Sequence, residues 1–369
     1  TQLVLIAAGC GFLIVMSLIS SLSLTLDNYF ARQQYDLLIQ FNDNERAGRV
    51  LSMAQTVPGV ETAELRLVQT ASMFVSGQLV KEAGIGTFIE GIPTDSDFYE
   101  PLIVSGRWIA PGDGRVIVIT RDAARKNSIR VGDMVTLDLG EMGKDEWLVV
   151  GTYEPVFVGS YNLETIYAPL ASLYRATNKF NRGTHLYVRT TSHDPEFVTE
   201  VTRQLKNSYE DHNLKTAGSQ TQPDMRNTNE WQFSTVVYML LALSVIVAMV
   251  GGLALMGTLS IAVIERTKEI GVLRAVGARS RTILGIFIME GLLQGWLSWL
   301  AAIPISWLVS PFVASRLGIA MFGATLDYQF NWAAVGIWLG VVSVISMLAS
   351  VLPSRSAARI SVRDSLAYA

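Results

Sequence analysis

The run FSTVVYMLLALSVIVAMVGGLALMGTLSIAVI, residues 233–264, holds 32 residues without one Asp, Glu, Lys or Arg. A bilayer core of about 30 Å is crossed by about 20 apolar helical residues, and helices buried in soluble proteins rarely stay uncharged for so long. Three further stretches are charge-free: Thr1 to Leu26, Gly291 to Ser315 and Tyr328 to Ser354. Each is long enough to span, so the pattern predicts four transmembrane helices. Charged residues make up only 17% of the 369 residues, against roughly 25% in soluble domains. At about 1.5 Å per residue the 233–264 run makes roughly 48 Å of helix. The surplus over a bilayer is expected to project outward as a stalk, or to be taken up by tilt.

Between the first two spans lies Asp27 to Trp231, with ordinary globular composition. It holds 20 Lys+Arg and 27 Asp+Glu, a net charge near −7. An acidic water-exposed domain and a basic remainder are thus concealed in an overall charge of −3. No basic run there resembles a nucleic-acid footprint, which excludes nucleic acid as a partner class. The short loops set orientation. Glu265 to Arg281 carries Arg266, Lys268, Arg274, Arg279 and Arg281, and the end of the chain carries Arg355, Arg359 and Arg363. The loop Arg316 to Asp327 has a single Arg. Positive residues stay cytoplasmic, so the large domain faces outward. The only cysteine, Cys10, sits in the first span, and the outer domain relies on its own apolar core. Thr1 is almost inside the membrane, with no basic segment before it. A short tail, or a whole preceding half of a duplicated permease, is expected upstream.

Within the outer domain, Tyr35 to Phe41 reads as a strand, Asn44 to Gln55 as a helix and Glu61 to Phe74 as extended chain. A second strand–helix unit follows at His185 to Arg189 and Pro195 to Tyr209, with Phe197, Val201 and Leu205 on one helical face. An extended polar stretch is expected from there to Trp231. The two units suggest one α+β subdomain built from residues near 34–77 and 169–228. Between them, about 78–168, Arg115 to Thr120, Met134 to Leu139 and Trp147 to Val150 read as strands among turn signals, a β-rich insert. The fold class expected is therefore a membrane protein: four transmembrane helices plus a large α+β extracytoplasmic domain inserted between helices 1 and 2. The boundaries are 1–26, 27–230, 231–264, 265–281, 282–315, 316–329, 330–353 and 354–369 for helix 1, outer domain, helix 2, cytoplasmic segment, helix 3, outer loop, helix 4 and tail.

The cytoplasmic segment IERTKEIGVLRAVGA, residues 264–278, places Ile270, Leu273 and Val276-Gly277 at helical spacing, surrounded by Glu265, Arg266, Lys268, Glu269 and Arg274. Such a helix suits a lipid surface or a groove on a partner. A plain interfacial loop that satisfies the charge rule accounts for it equally well.

The run ERTKEIGVLRAVGARSRTI, residues 265–283, resembles the coupling segment of FtsX/MacB-type permeases of ABC transporters, where ERxxEIGxLRAxGA precedes the third span. Met289-Glu290-Gly291 resembles the start of that span, and PSRSAARISVRDSL, residues 353–366, the family's ending, with Val362 in place of its usual proline. IVSGRWIAPGD at 103–113, Val131-Gly-Asp133 and Val149-Val-Gly151 resemble phrases of its outer domain. The resemblance implies a mechanotransmission permease with no catalytic residues of its own. Cytoplasmic ABC ATPase subunits, carrying ATP and Mg, would bind a coupling segment comprising Glu265, Arg266, Lys268, Glu269, Ile270, Gly271, Leu273, Arg274 and Gly277. A second permease copy or half is implied, as are a periplasmic adaptor, lipoprotein or hydrolase as candidate partners and a bacterial plasma (inner) membrane location. The expected work is export or extraction of a hydrophobic substrate: lipoprotein, lipid, peptide or drug. The alternative is a signal transmitter that regulates an external cell-wall hydrolase or senses a peptide. No GxxxxGK[ST] loop occurs in the chain, so no cofactor is expected on it and it is not expected to be an enzyme.

Glu290, about 13 Å along a helix from Arg281, is a membrane-embedded acid near enough to the cytoplasmic face for snorkelling or for pairing with a neighbouring Arg, in a structural or coupling role rather than as a proton relay. Gly251 and Gly252 are expected at a helix–helix contact, as two copies meeting at a dimer axis would use them, with the helix continuous. His185, His193 and His212 have no metal-site spacing and read as surface polar residues. Trp108 and Trp147 read as core aromatics, and Trp231 and Trp332 as belt residues. Phe157, Val158 and Tyr161 mark a loop for packing or contact.

Overall fold

The computed structural model describes residues 2–75, 78–79, 86–154, 163–322 and 325–357. The loop with Phe157, Val158 and Tyr161, and the end of the chain with Arg359 and Arg363, lie outside the described residues. Two compact units result. One comprises Thr1–Leu24, Gln232–Ile319 and Thr325–Ala369, and the other Thr25–Trp231 with Ala320–Ala324.

The four long apolar helices are α1 (Gln2–Arg32), α6 (Gln222–Glu265), α8 (Ser280–Phe322) and α9 (Trp332–Ala357), numbered in the full chain order. Their shared interior sets alanines against larger apolar side chains, the indole of Trp338 among them. Ala8, Phe12 and Leu13 of α1 meet Ala248 of α6, Ala302 of α8 and Ala334, Trp338 and Val342 of α9. Phe12 stacks on Trp338 with ring centroids 5.0 Å apart. Lipid drives no hydrophobic association, so close approach through small residues supplies the packing. Gly251 and Gly252 follow that rule against this chain's own helices: a Cβ on Gly251 would lie 2.8 Å from Leu5 Cδ2 of α1, and one on Gly252 2.8 Å from Ile345 Cγ2 of α9. The expected helix–helix contact is thus made with α1 and α9, and α6 runs on unbroken through both glycines.

Two helix ends depart from the sequence reading. No extended stretch reaches Trp231, because α6 starts at Gln222. Thr221 caps it, with Pro223 in the first turn: Asp224 N donates to Thr221 Oγ1 at 3.1 Å, and that hydroxyl donates to Asp224 Oδ2 at 2.7 Å. At 44 residues, α6 is roughly 66 Å long. The loop expected from Arg316 begins later, since α8 continues through Pro304, Pro311 and Arg316 to Phe322.

In the other unit the chain runs through β1 (Leu37–Arg46), α2 (Ala47–Thr56), β2 (Val60–Val75), β3 (Gln78–Leu79), β4 (Gly86–Ile92), β5 (Leu102–Gly106), β6 (Val116–Thr120), α3 (Arg121–Asn127) and β7 (Met134–Asp138). It continues through β8 (Lys144–Glu154), β9 (Leu163–Pro169), α4 (Leu170–Thr177), β10 (Arg182–Thr190), α5 (Pro195–Asp211) and β11 (Thr216–Thr221). β11, β1, β10 and the first half of β2 form an antiparallel sheet. The helices α2 and α5 cover it through Val50, Ala54, Val201, Leu205 and Tyr209, with Phe197 at the edge. The second half of β2 enters a closed circuit, β2–β4–β9–β6–β8–β7 and back to β2. Closure removes most of the open edge. Leu67, Met73, Ile89, Ile117, Ile119, Val135, Leu137, Trp147, Val149 and Ile166 fill its interior.

The expected division into a flanking subdomain and an insert thus shifts at both borders. β2 switches sheets after Arg66, not near residue 77: Arg66 pairs with His185 of β10 and Leu67 with Gly91 of β4. α4 packs Leu173 into the barrel core and so belongs to the insert.

Two of the phrases in the insert are turns. Asp113 accepts from both Arg107 Nη atoms at 2.6 and 2.7 Å and from Ala110 N at 2.8 Å. The Arg107 guanidinium holds that carboxyl below the ordinary carboxylate value. Asp133 Oδ2 accepts from Arg130 N at 2.7 Å beside Gly132, whose φ of +99° suits glycine.

Candidate functional site: the cytoplasmic helix and the buried carboxylates

The segment read as amphipathic forms α7 (Thr267–Ala275). Thr267 Oγ1 donates to Val263 O at 3.1 Å and Ile264 O at 2.7 Å, tying its first turn to the end of α6. Its end is a Schellman motif: Ala278 N donates to Leu273 O at 2.9 Å and Gly277 N to Arg274 O at 3.0 Å, with Gly277 at φ +103°. The glycine in the RAVGA phrase is therefore the helix stop. Glu269 in the first turn and Arg274 in the last complement the helix dipole. Arg274 Nη2 donates to Ser280 Oγ at 3.3 Å, so the turn into α8 is also held.

The expected stripe of Ile270, Leu273 and Val276-Gly277 is not one face. Ile270 is 3% exposed and packs with Val263 of α6, Ile283 and Phe287 of α8 and Ala357 of α9. Gly271 is buried beside it. Leu273 and Val276 point the other way with Val272, at 44%, 85% and 63% exposure. Glu265, Arg266, Lys268 and Glu269 are exposed around them. α7 is thus seated on the bundle through one large apolar side chain, Ile270, and presents an apolar patch in a charged rim. Glu290 of α8 lies 3.4 Å from Arg266 Nη1, so the neighbouring Arg expected for the embedded acid is the one at the start of this segment.

The outer unit holds buried charge that the sequence reading missed. Arg66, 2% exposed, donates to Glu90 Oε1 at 2.9 Å and lies 4.2 Å over the Tyr187 ring. Burial alone would lower its pKa. Glu90 and Glu64 outweigh burial and raise it, so Arg66 stays charged. Asp36, 6% exposed, accepts from Thr190 N and Thr190 Oγ1 through Oδ2 and from His193 Nδ1 through Oδ1. His185 is not the surface residue expected. It is half-buried on β10, and burial lowers its pKa below the ordinary 6.5. Trp147 is fully buried in the barrel, and Trp108 packs at 5.3 Å against Tyr167. Among the described residues no group of three His, Cys, Asp or Glu is arranged to hold a metal ion.

Comparison with known proteins places both halves of this arrangement. Residues 3–207 match the model of the MacB-like periplasmic core domain, and residues 241–362 that of the FtsX-like permease C-terminal region. The macrolide export ATP-binding/permease protein MacB of Campylobacter fetus is 26% identical over 345 residues, 89% of this chain and 49% of its own length. MacB 2 of Aeromonas hydrophila is 31% identical over 134 residues, 36% of this chain and 20% of its own. The pyoverdine export ATP-binding/permease protein PvdT of Pseudomonas syringae is 28% identical over 186 residues, 46% of this chain and 26% of its own. The chain thus spans half or less of the length of these relatives.

Proposed function

Since the chain belongs to the family of MacB-like and FtsX-like ABC transporter permeases, we propose that it relays ATP-driven motion from a cytoplasmic ATP-binding partner to its extracytoplasmic domain. The partner is carried on a separate subunit or on another part of a longer polypeptide. The observation that carries this reading is α7: fixed to the bundle through Ile270, it presents Val272, Leu273 and Val276 in a charged rim. An apolar patch of that kind suits a groove on a protein. α6, which joins α7 to the outer unit as one helix, is the relay. Two such permease units act together in the plasma membrane, and the load is a hydrophobic molecule handled on the outer side. The export functions in the names of the macrolide and pyoverdine relatives support this load class.

The test is co-purification. Leu273→Asp and Val276→Asp are expected to cut recovery of the ATP-binding partner about tenfold or more, as loss of a central apolar contact of 2 kcal/mol or more does at interfaces, with membrane insertion unchanged. Full recovery with both variants would remove α7 as the docking element.

A further inference from the structure

Asp36 stands where α1 gives way to β1, and it is tied to more of the chain than its neighbours are. Its N–H donates to Val188 O at 2.9 Å, and its carbonyl accepts from the N–H of Gln222, the first residue of α6, at 2.8 Å. Its carboxylate accepts from Thr190 N at 2.7 Å, Thr190 Oγ1 at 2.9 Å and His193 Nδ1 at 2.7 Å. One residue thus joins the exit of α1, the start of α6, the last residue of β10 and the turn into α5. The flanking residues repeat the tie: Gln33 O accepts from Gln222 Nε2 at 2.9 Å and Gln34 O from Arg189 Nε at 2.7 Å.

A buried carboxylate costs several kcal/mol unless hydrogen bonds replace its water. Here three donors do so, and they hold it in one orientation. Beside Asp36 opens a cavity of about 570 Å³, lined by Phe30, Gln34, His193, Pro223 and Arg226 among others. Next to it Met225 of α6 packs on Tyr35, Leu38, Phe98 and Tyr187, and the hydrogen bonds of Asp36 add direction to that apolar contact.

We propose that Asp36 is a positioning residue that holds the end of α1 and the start of α6 in one geometry against β10 and α5, so that displacement of α6 reaches the outer sheet instead of being absorbed by the cavity. This rests on the ATP-driven relay proposed above. The charged and titratable groups around the joint are His193, Arg189, Arg226, Asp97, Asp27 and Glu230, and the arginines are already paired: Arg189 with Asp97, Arg226 with Asp27 and Glu230. The carboxylate of Asp36 therefore acts through geometry and not as a free counter-charge.

The experiment uses the full chain with its ATP-binding partner in lipid nanodiscs, with two spin-label pairs. Ile264 with Val344 reads movement of α6 within the membrane unit. Asn227 with Arg203 reads the start of α6 against α5 within the outer unit. In the unaltered protein a non-hydrolysable ATP analogue is expected to shift the first pair and leave the second narrow. Asp36→Ala is expected to keep the first shift and to broaden the second distribution about twofold. A second distribution as narrow as in the unaltered protein overturns the proposal. If the first pair fails to shift in the unaltered protein, the relay itself falls and this inference with it, a failure that Asp36 does not influence. Should Asp36→Ala not fold, His193→Ala removes one carboxylate partner from an exposed position. It is expected to broaden the second pair by a smaller amount, and an unchanged width again overturns the proposal.

Discussion

At the scale of single residues, burial of polar groups decides what each one contributes. His185 is held neutral by burial, with its pKa below 6.5. A base whose folded pKa is depressed leaves stability intact above the unfolded value. That stability is lost as pH falls from 6.5 through the folded pKa, because the unfolded chain takes up the proton first. His185→Gln is therefore expected to flatten the loss of melting temperature just below pH 6.5, a window that ordinary carboxylates do not reach. The measurement is a thermal melt of the protein across pH 7 to 5, and an unchanged slope counts against the assignment. Histidine type and spacing say nothing of burial, so the sequence reading placed His185 at the surface. Arg66 and Asp36 were equally hidden. A charge in an alternating strand is ordinarily read as solvent-facing, whereas Arg66 lies at the switch of β2 between sheets and is buried against Glu90 of β4. The turn phrases around Asp113 and Gly132 were legible, because turn chemistry is local.

At the scale of elements, the four spans followed from charge-free length, a property of a segment alone, whereas helical spacing left α7 open between a helix and an interfacial loop. Their ends did not, since the Thr221 cap of α6 lies in a stretch read as extended and a helix end depends on what covers it. The faces also had to await the fold, as the split of α7 between Ile270 and Val276 shows. Close packing of the spans yields a graded expectation. A Cβ on Gly9 would lie 2.6 Å from Trp338 Nε1 and 2.9 Å from Ala302 Cβ, neither of which can turn away. At Gly251 the nearest atom is the flexible end of Leu5, and at Gly257 nothing stands within 4 Å. Gly9→Ala is expected to cost about 1–3 kcal/mol from overpacking. Gly251→Ala is expected to be near neutral, as the helix-propensity gain of about 1 kcal/mol offsets a small shift of Leu5, and Gly257→Ala to be stabilising by up to that amount. Unfolding of the three variants in mixed micelles orders them, and a Gly9→Ala protein as stable as Gly257→Ala would refute the packing.

At the scale of the whole molecule, the class was written in the hydropathy, and the orientation in the arginines of 266–281. The closed barrel was not visible. Its closure depends on β2 pairing β4 on one side and β7 on the other, a non-local choice that strand periodicity does not encode. The central claim is that the outward face of α7 meets an ATP-binding partner while Ile270 holds it to the bundle. The most direct measurement is site-specific photo-crosslinking in native membranes, with a photoreactive residue at Val276 or, as a control, at Met239, which is exposed on α6. Val276 is expected to crosslink to the ATP-binding partner and Met239 to lipid or another apolar helix. Crosslinks from Val276 to lipid alone, with the partner present, would contradict the account.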